Sequence, residues 1–217
     1  MDVKEACQEL KSVGRYLLDH ELTWGNAGNL SVRLDTTHYL ITASGTRLGD
    51  LEDGDFVECS FDGPVSSSRK PSKETPMHQA VYERRPEIGA VLHASPFYST
   101  LYACTEKTVP ADWFVEAMYY LERVERVGYF HPGSAALGEA VRAMARQANI
   151  LLLENHGVLV YDTSLQEALM GLQTLEMVCR MAITARCAGL NVRSLPVSTV
   201  SDFLTNSGYR SRREWPL

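Results

Sequence analysis

Two short apolar runs, Ile88-Gly89-Ala90-Val91-Leu92 and Ile150-Leu151-Leu152-Leu153, constrain this chain more than any other feature. Bounded by turn-forming residues, runs of this length read as buried strands. Each leads into a histidine: His93 closes the first, and His156 follows the second and is itself followed by Gly157. Glu74 stands elsewhere, after the turn-like stretch Lys70-Pro71-Ser72-Lys73 and at the opening of a predicted helix. Two imidazoles and one carboxylate suffice to bind a catalytic Zn²⁺ and leave a position open for substrate. If the three converge, they form a metal site.

The other elements are set by periodicity and punctuation. Val3, Cys7, Leu10, Val13, Leu17 and Leu18 fall on one face of a helix over residues 3–20. Leu30 to Leu34 alternates as a strand, with His38 to Thr42 as its partner and Ser44-Gly45 as the break. Residues 55–60 and 64–66 make a hairpin around Asp62-Gly63. Thr75 to Arg85 is helical and stops before Pro86, because a residue preceding proline avoids the α region. Phe97 to Cys104 is helical, Val127 to Phe130 a short strand, and Ser134 caps a helix over 135–147. Val158 to Tyr161 is extended, and Ser164 caps a long helix closed by Gly189. Strands and helices mix without strict βαβ alternation. That pattern predicts one α/β domain with a central, mainly antiparallel or mixed sheet flanked by helices.

A chain of 217 residues can bury a sizeable core without disulfides. Its net charge of −6 argues against general nucleic-acid binding, which draws on clustered cations. The Arg210, Arg212, Arg213 cluster reads as part of a solvated tail. Five cysteines without a CxxC pair, and no signal peptide, place the expected setting in a reducing cytoplasm. Cys7, Cys104 and Cys179 are expected to serve as small core residues. No apolar run approaches a membrane span.

Three loops have the chemistry of an anion site. The Trp24-to-Asn29 loop carries Asn26, Gly28 and Asn29, with backbone amides unshielded at its glycines. Ser44-Gly45-Thr46 and Pro71-Ser72-Lys73 add hydroxyls, another glycine and a cation. Each alone is a turn; together they suggest one shared site for a phosphate or carboxylate.

These segments occur in a telling order: Gly25-Asn26-Ala27-Gly28-Asn29-Leu30-Ser31-Val32-Arg33, Leu40-Ile41-Thr42-Ala43-Ser44-Gly45, Pro71-Ser72-Lys73-Glu74 with His78, Val91-Leu92-His93, and Leu153-Glu154-Asn155-His156-Gly157. The chain thereby resembles the class II aldolase/adducin family over roughly residues 5–190. The resemblance implies a three-layer α/β/α domain over 1–195, with residues 196–217 as a tail able to cover the active site. It implies a lyase that cleaves a small phosphorylated ketose or related hydroxy-carbonyl compound. In that chemistry a divalent metal, Zn²⁺ first and Mn²⁺ or Fe²⁺ next, polarises the carbonyl and stabilises the enediolate. Glu74 matches the family's acid/base, and Asn29, Ser44, Gly45 and Ser72 match phosphate-holding positions. A homotetramer with active sites between subunits is implied as well.

The match has gaps. Family enzymes present His-x-His where this chain has His93-Ala94-Ser95. Residues two apart on a strand share a face and can grip one ion, so Ser95 removes one ligand. Glu74 then becomes a permanent ligand, or His131 fills the gap, or the metal is lost and an adducin-like interaction module remains. His78, about one turn from Glu74, reads as a packed helix residue. A tyrosine donor expected after Pro110 falls near Phe114, which has no hydroxyl; Tyr119 and Tyr120 lie a few residues on, and Tyr209 in the tail is a candidate substitute. Lys73 could bind a phosphate or a substrate carboxylate. Glu154 and Asn155 are placed to orient His156. Decarboxylase or dehydratase chemistry, and a non-haem Fe(II) oxygenase built on two histidines and a carboxylate, stay open.

Overall fold

The computed structural model describes residues 2–64, 68–208, 213 and 215. In chain order its elements are α1 (Val3–Asp19), β1 (Asn29–Arg33), β2 (His38–Thr42), β3 (Phe56–Ser60), β4 (Gly63–Pro64), α2 (Thr75–Arg84), β5 (Ala90–Ala94) and α3 (Phe97–Ala103). There follow α4 (Val115–Tyr120), β6 (Val124–Val127), α5 (Ala135–Met144), β7 (Ile150–Leu153), β8 (Gly157–Asp162), α6 (Leu165–Cys187) and α7 (Val197–Asn206). Eight strands pair in the order β4-β3-β2-β1-β5-β8-β7-β6. Only β6 with β7 is parallel among these pairings.

Both apolar runs become interior strands with a neighbour on each side, where residues on both faces must leave water. Alternation on β5 splits the core. Ala90, Leu92 and Ala94 join the cluster under α1, α4 and α6, while Val91 joins the one under α2 and α5. The domain is therefore three-layered, helices over both faces. Ser134 Oγ accepts from Leu137 N and Ser164 Oγ from Glu167 N, which caps α5 and α6. Gly189, at φ 66°, ends α6 in the left-handed region that suits glycine.

Three expectations need correction. The strand predicted at Val127 to Phe130 lies at Val124–Val127 instead, where it pairs with β7 and leaves Tyr129 and Phe130 exposed. Cys104 is exposed rather than in the core. Two helices went unread: α4, whose Ala117, Met118 and Tyr119 are buried, and α7 within the tail. Residues 65 and 66 of the expected hairpin fall outside the described ones. No helix among the described residues is long and apolar enough to cross a membrane.

The tail docks through Arg213, which is buried. Its Nη2 and Nε donate to Asp162 Oδ2 at 2.7 and 3.0 Å, and its Nη1 donates to the Tyr119 carbonyl at 2.9 Å. The guanidinium groups of Arg85 and Arg123 lie 4.7 and 4.3 Å from the Trp215 ring, and its indole N–H donates to Glu122. Asp162 pairs with Ala90, at the end of the β5–β8 ladder away from His93. The described end of the tail is thus anchored remote from this chain's own candidate site. Arg213→Ala strands Asp162 as a buried carboxylate without its cation, so a loss of about 3 kcal/mol is expected. A urea unfolding midpoint unchanged from wild type would contradict that.

Candidate metal centre

Three elements deliver the cluster. His93 lies near the end of β5, on the face covered by α2 and α5. Glu74 is the N-cap residue of α2, where its backbone N–H donates to Ser72 Oγ at 3.2 Å. His156 sits in the tight turn from β7 to β8, which Asn155 permits by adopting φ 54°. Asn155 therefore acts on His156 through the backbone; His156 Nδ1 is buried without a hydrogen-bond partner. Ligand-type atoms of Glu74, His93 and His156 all lie within 4.8 Å of one another.

The atoms fit a cation. His93 Nε2 is 3.2 Å from Glu74 Oε2, and His156 Nε2 is 3.1 Å from Glu74 Oε1. The Val158 carbonyl can only accept, so His93 Nδ1 must donate to it across 3.0 Å. Burial, partly opposed by Glu74, lowers the His93 pKa and favours the neutral ring. Its single proton is then on Nδ1, and Nε2 turns a lone pair toward a carboxylate. Two acceptors face each other, an arrangement that a cation between them resolves. Glu74 Oε1 is likewise buried, facing His156 Nε2. Burial by itself would raise the Glu74 pKa, but His93, His156 and the Asn29 amide outweigh it and hold the carboxyl at about 2.

Around the cluster is a cavity of about 510 Å³. Its wall includes Asn26, Gly28 and Asn29 from the first loop, Ser44 and Gly45 from the second, and Ser72 and Lys73 from the third. The three loops are thus brought together with the candidate ligands. An isolated bridge from Ala43 to Pro71 and the bond from Ser44 N to the Lys70 carbonyl, 2.9 Å, join the second and third. Gly28 holds φ 86° against β5; a Cβ there would meet the His93 carbonyl oxygen at 2.5 Å. Trp24, Thr46, Ser95 and Pro132 also line the space.

Two site expectations fare differently. His131 is exposed, rests against Tyr129 and is not among the clustered ligand atoms, although its neighbour Pro132 lines the cavity. In this chain the turn before α5 places it outside the Glu74, His93, His156 cluster. Tyr209 lies outside the described residues. His78, expected to be a packed helix residue, is buried with both its ring nitrogens hydrogen-bonded. The signal was available: Glu74, His78 and Tyr82 recur at helical spacing, Asn29 and Ser31 at strand spacing.

The family model for the class II aldolase and adducin N-terminal domain matches residues 8–183. The chain belongs to that family. The 3-oxo-tetronate 4-phosphate decarboxylase of Haemophilus influenzae is 33% identical over 201 residues, covering 90% of this chain and 94% of the relative. Among solved structures, YgbL from Klebsiella pneumoniae matches with a TM-score of 0.85 at 29% identity, covering 94% of this chain and 99% of that one. An L-fuculose 1-phosphate aldolase matches with a TM-score of 0.82 at 28% identity, covering 92% of this chain and 94% of the other. Members of the family similar to this chain therefore carry both decarboxylase and aldolase names.

Proposed function

We propose that the protein is a divalent-metal-dependent carbon–carbon lyase, and that it decarboxylates a small phosphorylated 3-oxo sugar acid. The observation that carries this reading is the Glu74 carboxylate set between the Nε2 atoms of His93 and His156, in a cavity also lined by the three anion-type loops. His93, His156 and Glu74 would hold the cation, with Zn²⁺ the first choice and Mn²⁺ or Fe²⁺ next. When bound it supplies positive charge beside the substrate carbonyl, where electron density collects as the bond breaks.

The chain's own groups do the rest. Asn26, Gly28, Ser44, Gly45 and Ser72 bind the phosphate through amides and hydroxyls, and Lys73 pairs with an anionic group of the substrate. As CO₂ leaves, the electron pair of the broken bond passes into the ketone as an enolate. The proton that the enolate carbon takes up comes from water, and Glu74 Oε1, which faces His156 Nε2 at 3.1 Å, relays it and is ionised again afterwards.

Decarboxylation is favoured over retro-aldol cleavage by Phe114. Cleaving an aldol requires a second group to take the hydroxyl proton, and the side chain at this position packs, half-buried, against the core. Loss of CO₂ needs only one proton carrier. Retro-aldol cleavage of a ketose 1-phosphate is the second reading, supported by the likeness to L-fuculose 1-phosphate aldolase, and Tyr209 is then the second proton carrier. In both readings we place the protein in the cytoplasm as a homotetramer with its sites between subunits.

Chelated protein reloaded with Zn²⁺ or Mn²⁺ is expected to release CO₂ from 3-oxo-tetronate 4-phosphate. Aldehyde release from L-fuculose 1-phosphate should be at least about tenfold slower, a difference of roughly 1.4 kcal/mol in barrier. The opposite ranking would select the retro-aldol reading. Protein that takes up no divalent metal and releases neither product would sink both.

A further inference from the structure

The stripe of Glu74, His78 and Tyr82 on α2 lies over the stripe of Asn29 and Ser31 on β1, and the side chains connect. The Tyr82 hydroxyl is 2.8 Å from Ser31 Oγ, and Ser31 Oγ is 2.7 Å from His78 Nδ1. His78 Nε2 is 2.6 Å from Asn29 Oδ1, and Asn29 Nδ2 is 2.7 Å from Glu74 Oε2. Asn29, Ser31, His78 and Tyr82 are all buried.

The charge on Glu74 fixes the direction of every bond. An ionised carboxylate only accepts, so Asn29 turns its NH₂ toward Glu74 and its carbonyl toward His78. That carbonyl also only accepts, so His78 carries its proton on Nε2. A neutral imidazole has one proton; Nδ1 therefore accepts from Ser31, whose oxygen accepts from Tyr82 in turn. Reversing Asn29 would set its oxygen against the carboxylate. A chain of buried bonds with one allowed polarity holds its last member in one orientation.

We propose that His78 is a positioning residue which, through Asn29, holds Glu74 Oε2 and leaves Oε1 as the working oxygen, so that the Asn29 side chain serves Glu74 rather than the substrate's phosphate. The proposal rests on the reading of Glu74 as metal ligand and proton carrier. It departs from the phosphate-binding role that the family resemblance gives to Asn29.

The test compares wild type with His78→Leu, which keeps the volume, and His78→Gln, which can still donate to Asn29 and accept from Ser31. Chelator competition reads Zn²⁺ affinity, and calorimetry with inorganic phosphate reads the anion site. His78→Leu is expected to weaken Zn²⁺ binding about tenfold, the lower end for partners that orient a metal ligand. His78→Gln should recover most of it, and phosphate affinity should change less than about twofold, well under 1 kcal/mol, in both. Wild-type Zn²⁺ affinity in folded His78→Leu, no recovery in His78→Gln, or a loss of phosphate rather than Zn²⁺ binding would each overturn the proposal. Nitrogen-15 spectra of the wild-type imidazole judge the relay without metal or substituted protein. A proton on His78 Nε2 supports it and a proton on Nδ1 overturns it, while wild-type protein that binds no Zn²⁺ removes the metal reading alone.

Discussion

Glu74→Gln should lower turnover by about 10²- to 10⁴-fold, the span that a positioned proton carrier contributes. The amide matches the carboxylate in volume, so packing against Asn29, His93 and His156 survives. What disappears is the charge and the ability to carry a proton. Zn²⁺ affinity measured on the same variant separates the two roles assigned to this residue. If Glu74 is a ligand, affinity falls together with turnover; if it only moves protons, affinity stays and turnover alone falls. Turnover within about tenfold of wild type at saturating metal would remove Glu74 from the chemistry altogether.

Acid is expected to destabilise the metal-free protein through His78. Burial, the largest cause, lowers the pKa of this imidazole from 6.5 to about 3. Between those values the unfolded chain binds a proton that the folded chain does not. Stability therefore rises with pH across the window and is lost as pH falls from 6.5 toward 3, by at most about 1 kcal/mol for each pH unit. Glu74 acts in the same direction lower down: its stabilising charge is present above 4.5 and fades as pH falls toward about 2. Urea midpoints of chelated protein, compared between about pH 7 and pH 5, report the His78 contribution before Glu74 titrates. His78→Gln, which has nothing to protonate, should make that slope shallower, leaving the part that buried His93 contributes in the same direction. Parallel profiles for the two proteins would show that His78 does not carry it.

Much of the fold was legible because its signals are local. β5 and β7 are apolar runs in interior strands of the sheet, and Ser134, Ser164 and Gly189 mark helix ends by their own backbone and hydroxyl chemistry. The misplaced strand shows the limit. Val127-Gly128-Tyr129-Phe130 has the more strand-like composition, yet Val124-Glu125-Arg126-Val127 forms β6 because a parallel partner, β7, lies beside it. The short α4 was hidden for a similar reason. Six residues give little periodic signal, and it is contact with the core through Ala117 and Met118 that makes them helical.

The sequence by itself determined the parts of the site: an acidic residue opening α2, histidines after two buried strands, and three loops with anion-binding chemistry. It also determined the 74/78/82 and 29/31 spacings, since helical and strand periods follow from backbone geometry alone. Only the tertiary structure decided which of these residues meet. Packing α2 over β1 joins the two stripes through His78 and Asn29, the β1–β5 register sets Asn29 opposite His93, and the turn before α5 keeps His131 out. Those choices depend on long-range contacts between elements, which local propensity does not encode.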